Sequence, residues 1–424
     1  MTASIDQNRI NRKKLFILWC GFLMYFLTSM SKTNVPATVF ENLQSLGLDA
    51  KQIANTGAYF MYAYALSQLL TGIYSDRYGG VKILLIGGTL FTIGAVGFPL
   101  TSNFYLMLLF RMMTGFGSGT IFVGVVKLIS DLYSKCFTLV MGISLIFGFS
   151  GAAAGTAPMV LMVQQFGWRW ALLIVGLVGL LLTAIVVLLS PGTIKQTVPG
   201  QTFAPFFKLM KNKAMWKVGL ATAPIGATYY VILGQIGIKS LTDSCSISPE
   251  KASTVLLIMS IAVASNSMLA NVFLKFTGDR RKPVQIFFNA LSLIGCIIAY
   301  FNYNTTPQVW VLAIAYILLA FPGGGFALYS TIAKEVNPPE QTGLAVSILN
   351  FIIWTFCALF QNISGISLKM LSPEGATIFP NRAYSGLFLI LTIAAVIAIS
   401  IAFMIPETRN RAKTSGTDTP ATQD

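Results

Sequence analysis

The sequence predicts an all-α integral membrane protein: twelve transmembrane helices arranged as two pseudo-symmetric six-helix halves. Three observations carry this. Hydrophobic residues make up 55% of the 424 residues and charged residues only 10%, against about 25% charged in an average soluble chain. Apolar stretches of about 20 residues, the length that crosses a bilayer, recur along the whole chain. A short Gly/Asp/Arg cluster also appears at matching places in its two halves. Such a composition leaves too little polar surface for a soluble enzyme or a nucleic-acid binder, although a net charge of +15 alone would have invited the latter.

The first span, 15–40, follows a basic tail, 1–14. That order imitates a signal peptide, but the apolar stretch from Leu15 continues without a small-residue cleavage site, so it reads as a membrane helix. Spans at 55–75, 83–101, 104–130, 138–163 and 170–190 complete an N-terminal half, 15–190. A polar segment, 191–216, carries Pro191, Pro199, Pro205, Lys208, Lys211 and Lys213 and reads as a cytoplasmic linker. The C-terminal half, 217–406, holds spans at 217–239, 252–275, 284–302, 308–333, 343–370 and 384–405, ahead of a cytoplasmic tail, 407–424. Within the tenth span, Phe321-Pro322-Gly323-Gly324-Gly325 weakens the helix and predicts a bend or gate.

Basic residues set the orientation. Placing the N-terminus in the cytoplasm puts 20 of the 29 Lys and Arg residues in inner segments. The outer segments keep Lys51, Arg169, Lys239, Lys251, Lys369 and Arg382, and the spans keep Lys32, Arg111 and Lys127. Both termini are therefore expected inside, with the surplus charge facing anionic headgroups; in a bacterium the membrane would be the inner or plasma membrane.

The acidic residues are as informative. All 14 fall in tails, loops or span ends. The chain has no histidine, and its five cysteines, Cys20, Cys136, Cys245, Cys296 and Cys357, are widely spaced without a C-x-x-C. They read as buried free thiols. No metal ligand set, cofactor motif or nucleophile–base pair is visible, so an enzyme is not expected. Lys32 lies about 25 Å along the first span. A lysine near mid-membrane costs about 2.5–3.5 kcal/mol to insert. A water-filled cavity receiving an anion would offset that, whereas snorkelling to the outer interface would avoid it. Arg111 reads as bonded to helix carbonyls, and Lys127 as snorkelling. Polar groups able to line a cavity are Tyr62, Tyr64, Gln68, Tyr229, Tyr230, Gln235, Asn266, Asn350 and Gln361. Tyr229 and Tyr230 are about 100° apart on a helix, so only one can face it squarely. Asn350 and Trp354 share a helix face.

Several motifs resemble those of the major facilitator superfamily, over essentially the whole chain. Gly72-x-x-x-Asp76-Arg77-x-Gly79-x-x-Lys82 is similar to the signature loop, and Asp279-Arg280-Arg281 to its second copy, which departs in having Lys275 at the place of the first glycine. The resemblance implies a conformational latch formed by these residues, weaker in the second copy. Arg111-x-x-x-Gly115 resembles the fourth-helix motif. Phe166-Gly-Trp168-Arg169-Trp170 resembles the entry to span six and Pro406-Glu407-Thr408-Arg409 the chain end. Gly142-x8-Gly151-x3-Gly155 resembles part of an antiporter pattern, with Thr156 where a proline is expected. Lys32-Thr33-Asn34, Tyr64-Ala-Leu-Ser67-Gln68 and Asn212-Lys213-Ala-Met-Trp216 are similar to segments of the organic-anion and sugar-phosphate carriers, and of related amino-acid or dipeptide carriers. Tyr229 stands where those carriers place a second arginine, which argues against a phosphate ester.

The resemblance implies a monomeric secondary or facilitative carrier that moves a small organic anion, or a zwitterion bearing a carboxylate, by alternating access. A coupling ion is compatible with this reading; a nucleic-acid partner is not. Lys32, Tyr64, Gln68, Tyr229, Tyr230, Gln235, Asn266 and Asn350 are the expected substrate-binding residues. A drug or metabolite exporter of the same fold and a non-transporting solute sensor are the alternatives.

Overall fold

The computed structural model describes residues 2–193, 209–337 and 342–407. Most of the expected linker (Pro199, Pro205 and Lys208 among it), Glu340, Thr408, Arg409 and the rest of the expected tail lie outside the described residues, as does the side chain of Asp76. The described chain is helical, with no strand among the described residues.

Helix α1, Thr2–Asn34, stops six residues before the expected end of span one. The cause is Pro36, which cannot donate a helical hydrogen bond and disfavours helical backbone at Val35. A turn leads to a short α2, Phe40–Ser45. Spans two and three, expected to be separated by a loop, form one run of helix, α3, Ala50–Leu100, which is broken only at Gly79 (φ 73°, ψ 157°). Only glycine reaches that backbone region readily, so this one residue makes the reversal. At its start, Asp49 accepts from the Gln52 main-chain N–H while the Gln52 side chain accepts from that of Asp49, a capping box. Asn103 caps α4, Phe104–Leu132, in a similar way.

The fifth span is two helices, α5 (Phe137–Ala154) and α6 (Ala157–Phe166), bent by 48° at Gly155 and Thr156. Helix α7 spans Trp168–Leu189. Span seven is also interrupted. Helix α8, Lys213–Val231, passes through a π-turn, Ile232–Ile236, into α9, Gly237–Cys245. Helices α10 (Pro249–Phe276) and α11 (Arg281–Tyr303) follow. The Pro-Gly run then breaks span ten into α12 (Val309–Ala320), a 3-10 turn (Phe321–Gly325) and α13 (Phe326–Glu335). Helices α14, Thr342–Met370, and α15, Asn381–Phe403, complete the described fold.

Among the described residues, eight helices are long and apolar enough to cross a membrane, or nine with the bent α5–α6 pair as one span. The expected spans outside that set are two, seven and eight. They are helical, but they bury Thr56, Gln68, Thr222, Thr228, Gln235, Ser253, Ser260 and Asn266. Their polar residues face protein rather than lipid, which is how a membrane fold accommodates them.

Two sets of helices meet along a seam. In the first, α3 packs on α4 and α7, and α1 on α4 and α5; in the second, α11 packs on α12 and α15, and α8 on α14 and α15. Across the seam α3 meets α14, α5 and α6 meet α10, and the end of α1 meets the π-turn. Helices α3 and α4 approach so closely that a Cβ on Gly115 would stand 2.2 Å from the Phe60 carbonyl oxygen. Small residues permit such contact between membrane helices. All five thiols are free. Cys20, Cys296 and Cys357 are buried and Cys245 partly so, but Cys136 is exposed because it ends the short turn Ser134–Cys136 between α4 and α5.

One end of the seam is closed by polar links between the two sets. Lys369 pairs with Asp49 at 2.8 Å, Lys239 with Glu41 at 3.4 Å, and Asn362 Nδ2 donates to Tyr62 Oη at 3.1 Å. Gln164 donates to Glu250 at the same end. Burial pushes the Asp49 carboxyl up, but the Lys369 ammonium and the main-chain N–H groups of Gln52 and Lys51 outweigh that and hold it below the usual carboxylate range. A depressed folded-state value means that the pair contributes above the free carboxylate's pKa and is lost as pH falls through the folded one. The Lys369 and Asp49 side chains are 55% and 39% exposed, so solvent screening keeps the contribution small. Asp49→Asn is therefore expected to lower the melting temperature slightly at pH 7 and to lose that effect below about pH 4. An effect of equal size at both pH values would rule out the ion pair as its source.

Candidate functional site

Where α1 ends, Lys32 is 5% exposed, between α3 and α14. Its Nζ donates to Tyr64 Oη at 3.3 Å, 4.3 Å above the centre of that ring and 4.8 Å from the Trp354 ring. Tyr64 and Trp354 meet edge-on at 4.8 Å, and Tyr230 closes the other side of Trp354 at 4.9 Å. The ammonium thus points into an aromatic cluster at the seam rather than out to an interface. Lys32 makes no ion pair among the described residues. Ring faces attract a cation by about 2 kcal/mol when it is desolvated, less than a carboxylate would supply.

Amides flank this cation on both sides along α14. Toward the helix start, Asn350 Nδ2 donates to Gln68 Oε1 at 3.5 Å, and Gln68 Nε2 to the Gly119 carbonyl at 3.1 Å. Asn350 Oδ1 is left without a partner. Toward the helix end, Gln235 Nε2 donates to the Gln361 carbonyl at 3.2 Å. The structure therefore brings together Lys32, Tyr64, Gln68, Tyr230 and Asn350, with Gln235 one layer away. It does not bring Tyr229 and Asn266 to the ammonium. Tyr229 turns toward Gly323, and Asn266 donates to the Phe321 carbonyl. Both serve the break in span ten. Trp354 was not expected to bind substrate, and Gln361 was expected only among the groups able to line a cavity. Their signal is the spacing Asn350, Trp354, Cys357, Gln361, which follows i, i+4, i+7, i+11 and places them on one face of α14.

Arg111 is 3% exposed and holds the end of α1 from the side. Its Nε donates to the Thr56 carbonyl at 3.0 Å, and its terminal nitrogens to the carbonyls of Val35 at 3.1 Å and Ser31 at 3.4 Å. Lys127 pairs with Asp131 at 3.6 Å one helical turn on. Arg169 donates to the Pro99 and Thr101 carbonyls.

Of the expected latch residues, Gly72 abuts Ser347 across the seam, Arg77 and Lys82 lie over the Tyr78 ring, and Gly79 makes the reversal in α3. In the second copy Asp279 adopts a left-handed backbone (φ 62°). Arg281 pairs with Glu335 at 2.7 Å, its main-chain N–H donates to Glu407, and the Lys282 ammonium donates to the Phe403 carbonyl. Arg280 caps the start of α11 with extended backbone.

The structure is thus a multi-pass helical fold with a buried cation on the seam between two helix sets. The chain belongs to the Major Facilitator Superfamily: that family's sequence profile matches residues 18–238 and again 218–422. That family is one of membrane transporters rather than enzymes. The chain is 22% identical to the hexuronate transporter of Bacillus subtilis over 412 residues, which covers 91% of this chain and 92% of that one. It is 28% identical to human monocarboxylate transporter 11 over 162 residues, 37% of this chain; that match spans about a third, 34%, of the relative's length. Its fold matches the crystal structure of a bacterial homologue of the human lysosomal transporter Spinster, in an inward-facing and unoccupied conformation, with a TM-score of 0.74 and 19% identity over 96% of this chain and 99% of that one.

Proposed function

We propose that the protein transports a small organic anion, or a zwitterion bearing a carboxylate, with Lys32 as the positive anchor. The observation that carries this reading is a buried lysine on the seam whose neighbours are aromatic rings and amides. A carboxylate that displaces Tyr64 Oη from the ammonium gains a charge-assisted bond in a partly desolvated site. Tyr64, Tyr230 and Trp354 provide flat walls for the substrate body, and Gln68 and Asn350 hydrogen-bond it from one side. The names of the relatives, a hexuronate transporter and a monocarboxylate transporter, support an acid as cargo.

In this reading the helix sets before and after the linker rock as two bodies about the site. Both termini lie in the cytoplasm, and the closed end bearing Asp49 and Lys369 faces outward. The latch around Asp76 and its second copy around Asp279 then lie on the inner face. With no acid placed inside a span, exchange and uniport fit this reading as well as proton symport does, unless the substrate itself carries the proton. The protein works as a monomer.

Counterflow tests the proposal. Proteoliposomes loaded with an unlabelled sugar acid or monocarboxylate are expected to accumulate the labelled acid, and those loaded with a neutral sugar are not. Binding without counterflow would mark a sensor instead. The aromatic cluster also suits an exporter of hydrophobic compounds, and export of a hydrophobic dye with no acid counterflow would favour that reading.

A further inference from the structure

Gln361 is fully buried, yet neither its side-chain oxygen nor its side-chain nitrogen has a hydrogen-bond partner. Its main-chain carbonyl is bonded by Gln235, which is also fully buried and leaves its own Oε1 unpaired. Both sit at the broken end of α1. A Cβ on Gly234 would stand 3.1 Å from the Lys32 carbonyl oxygen and 3.7 Å from Gln361 Nε2, and one on Gly57 would meet Gln361 Oε1 and Pro36. The amide therefore lies against the residues that present Lys32.

Native proteins pair nearly all buried polar atoms. Three unpaired amide atoms beside one buried cation are a feature that a ligand would complete. Trp354, under the ammonium, and Gln361 are seven residues apart on one face of α14, or about 10 Å along the axis, and a helical side chain leans back toward the helix start. Both side chains lean the same way, so the amide lies about 10 Å along the axis from the level of the cation. Hydrogen bonds of about 2.8 Å at the two ends take up part of that gap, and a chain of about four to six carbons, advancing about 1.3 Å per bond when extended, spans the rest.

Resting on the reading of Lys32 as the anion anchor, we infer that Gln361 and Gln235 form a second polar subsite, and that the substrate is a polyhydroxylated carboxylate of sugar-acid length. A hydroxyl both donates and accepts, so it satisfies the Gln361 oxygen and nitrogen alike. An alkyl chain in the same place leaves them buried and unpaired, and the site rejects it for that reason. A short acid such as acetate reaches the cation only.

The test compares gluconate, glucuronate and hexanoate, acids of equal chain length, for binding to the purified protein by calorimetry. The parent is expected to bind at least one hydroxylated acid ten- to a hundredfold more tightly than hexanoate. Gln361→Met, close in volume, should bring that ratio to within about threefold by weakening the hydroxylated acid alone, while Lys32→Met should weaken every acid that binds. If Gln361→Met fails to give folded protein, as judged by its melting transition, Gln235→Met carries the same expectation. An unchanged ratio in a folded glutamine variant, or a parent that binds no hydroxylated acid, overturns the subsite. Equal binding by Lys32→Met and the parent overturns the anchor itself, so the two failures are distinguishable.

Discussion

Lys32→Ala is expected to weaken binding of the acidic substrate by ten- to a hundredfold while leaving the fold intact. A charge-assisted hydrogen bond in a partly desolvated site is worth roughly 1.5–3 kcal/mol, and every 1.4 kcal/mol is a factor of ten in affinity. Nothing opposes the loss on the structural side, because the ammonium supports no ion pair among the described residues and its neighbours Tyr64 and Trp354 already touch each other. Lys32→Arg should retain part of the affinity. It keeps the charge, but its planar fork cannot place one donor where the ammonium sits, between two rings at 4.3 and 4.8 Å. Lys32→Glu should be worse than alanine, since it adds repulsion to the loss. The ranking Arg, Ala, Glu is the diagnostic feature, measured as dissociation constants at matched melting temperature. Affinities within about twofold across the series would sink the anchor.

The same residue shows what the sequence does and does not contain. Its depth in span one and the lack of any acid inside a span are countable from the chain, so a cation at the seam could be expected. Its surroundings could not. Trp354 lies 322 positions away in sequence and reaches Lys32 only because α3 and α14 pack across the seam. Periodicity places Trp354 on a face of its own helix but says nothing of which helix that face meets.

The spans show a similar division. Where a span is apolar throughout, as in α7 or α15, its extent follows from composition. The breaks at Gly155 and Thr156, at Ile232–Ile236 and at Phe321–Gly325 differ in how well they announce themselves. The Pro-Gly run at 321–325 does so locally, because it weakens the helix wherever it is placed. The π-turn does not. Its residues, Ile232-Leu233-Gly234-Gln235-Ile236, hold no proline and only one glycine. The latch glycines belong to a third case. Gly79 was expected in a loop, and its role as the sole reversal in a continuous helix depends on neighbours that stay helical on both sides. Tyr229 and Tyr230 were both expected as polar groups of which only one could face the cavity squarely, and helix rotation decides that it is Tyr230 that meets Trp354.

Arg111→Met should have the largest effect on stability of any single substitution considered. Three main-chain carbonyls, at Ser31, Val35 and Thr56, accept from this one guanidinium. Two of them are at the end of α1, where the last carbonyls of a helix have no partner of their own and Pro36 prevents the chain from continuing. A buried acceptor left unsatisfied costs about 1–3 kcal/mol, so removing the shared donor should cost several kcal/mol, enough to consume much of the stability of a typical domain. Methionine keeps a stem of similar length but removes the guanidinium, which also lies over the Phe60 and Phe98 rings, so the loss would report the hydrogen bonds and the cation–π contacts together. Arg111→Lys should fall between, because one ammonium cannot reach carbonyls on both α1 and α3 in the fork's geometry. If Arg111 acted on the substrate directly, Arg111→Lys would instead melt like the parent and lose affinity. The expected result is a lowered melting temperature for both variants, larger for methionine. The folded fraction of Arg111→Lys should still bind the acid within a few-fold of the parent, since the ammonium of Lys32 remains and only the helix end that carries it is loosened.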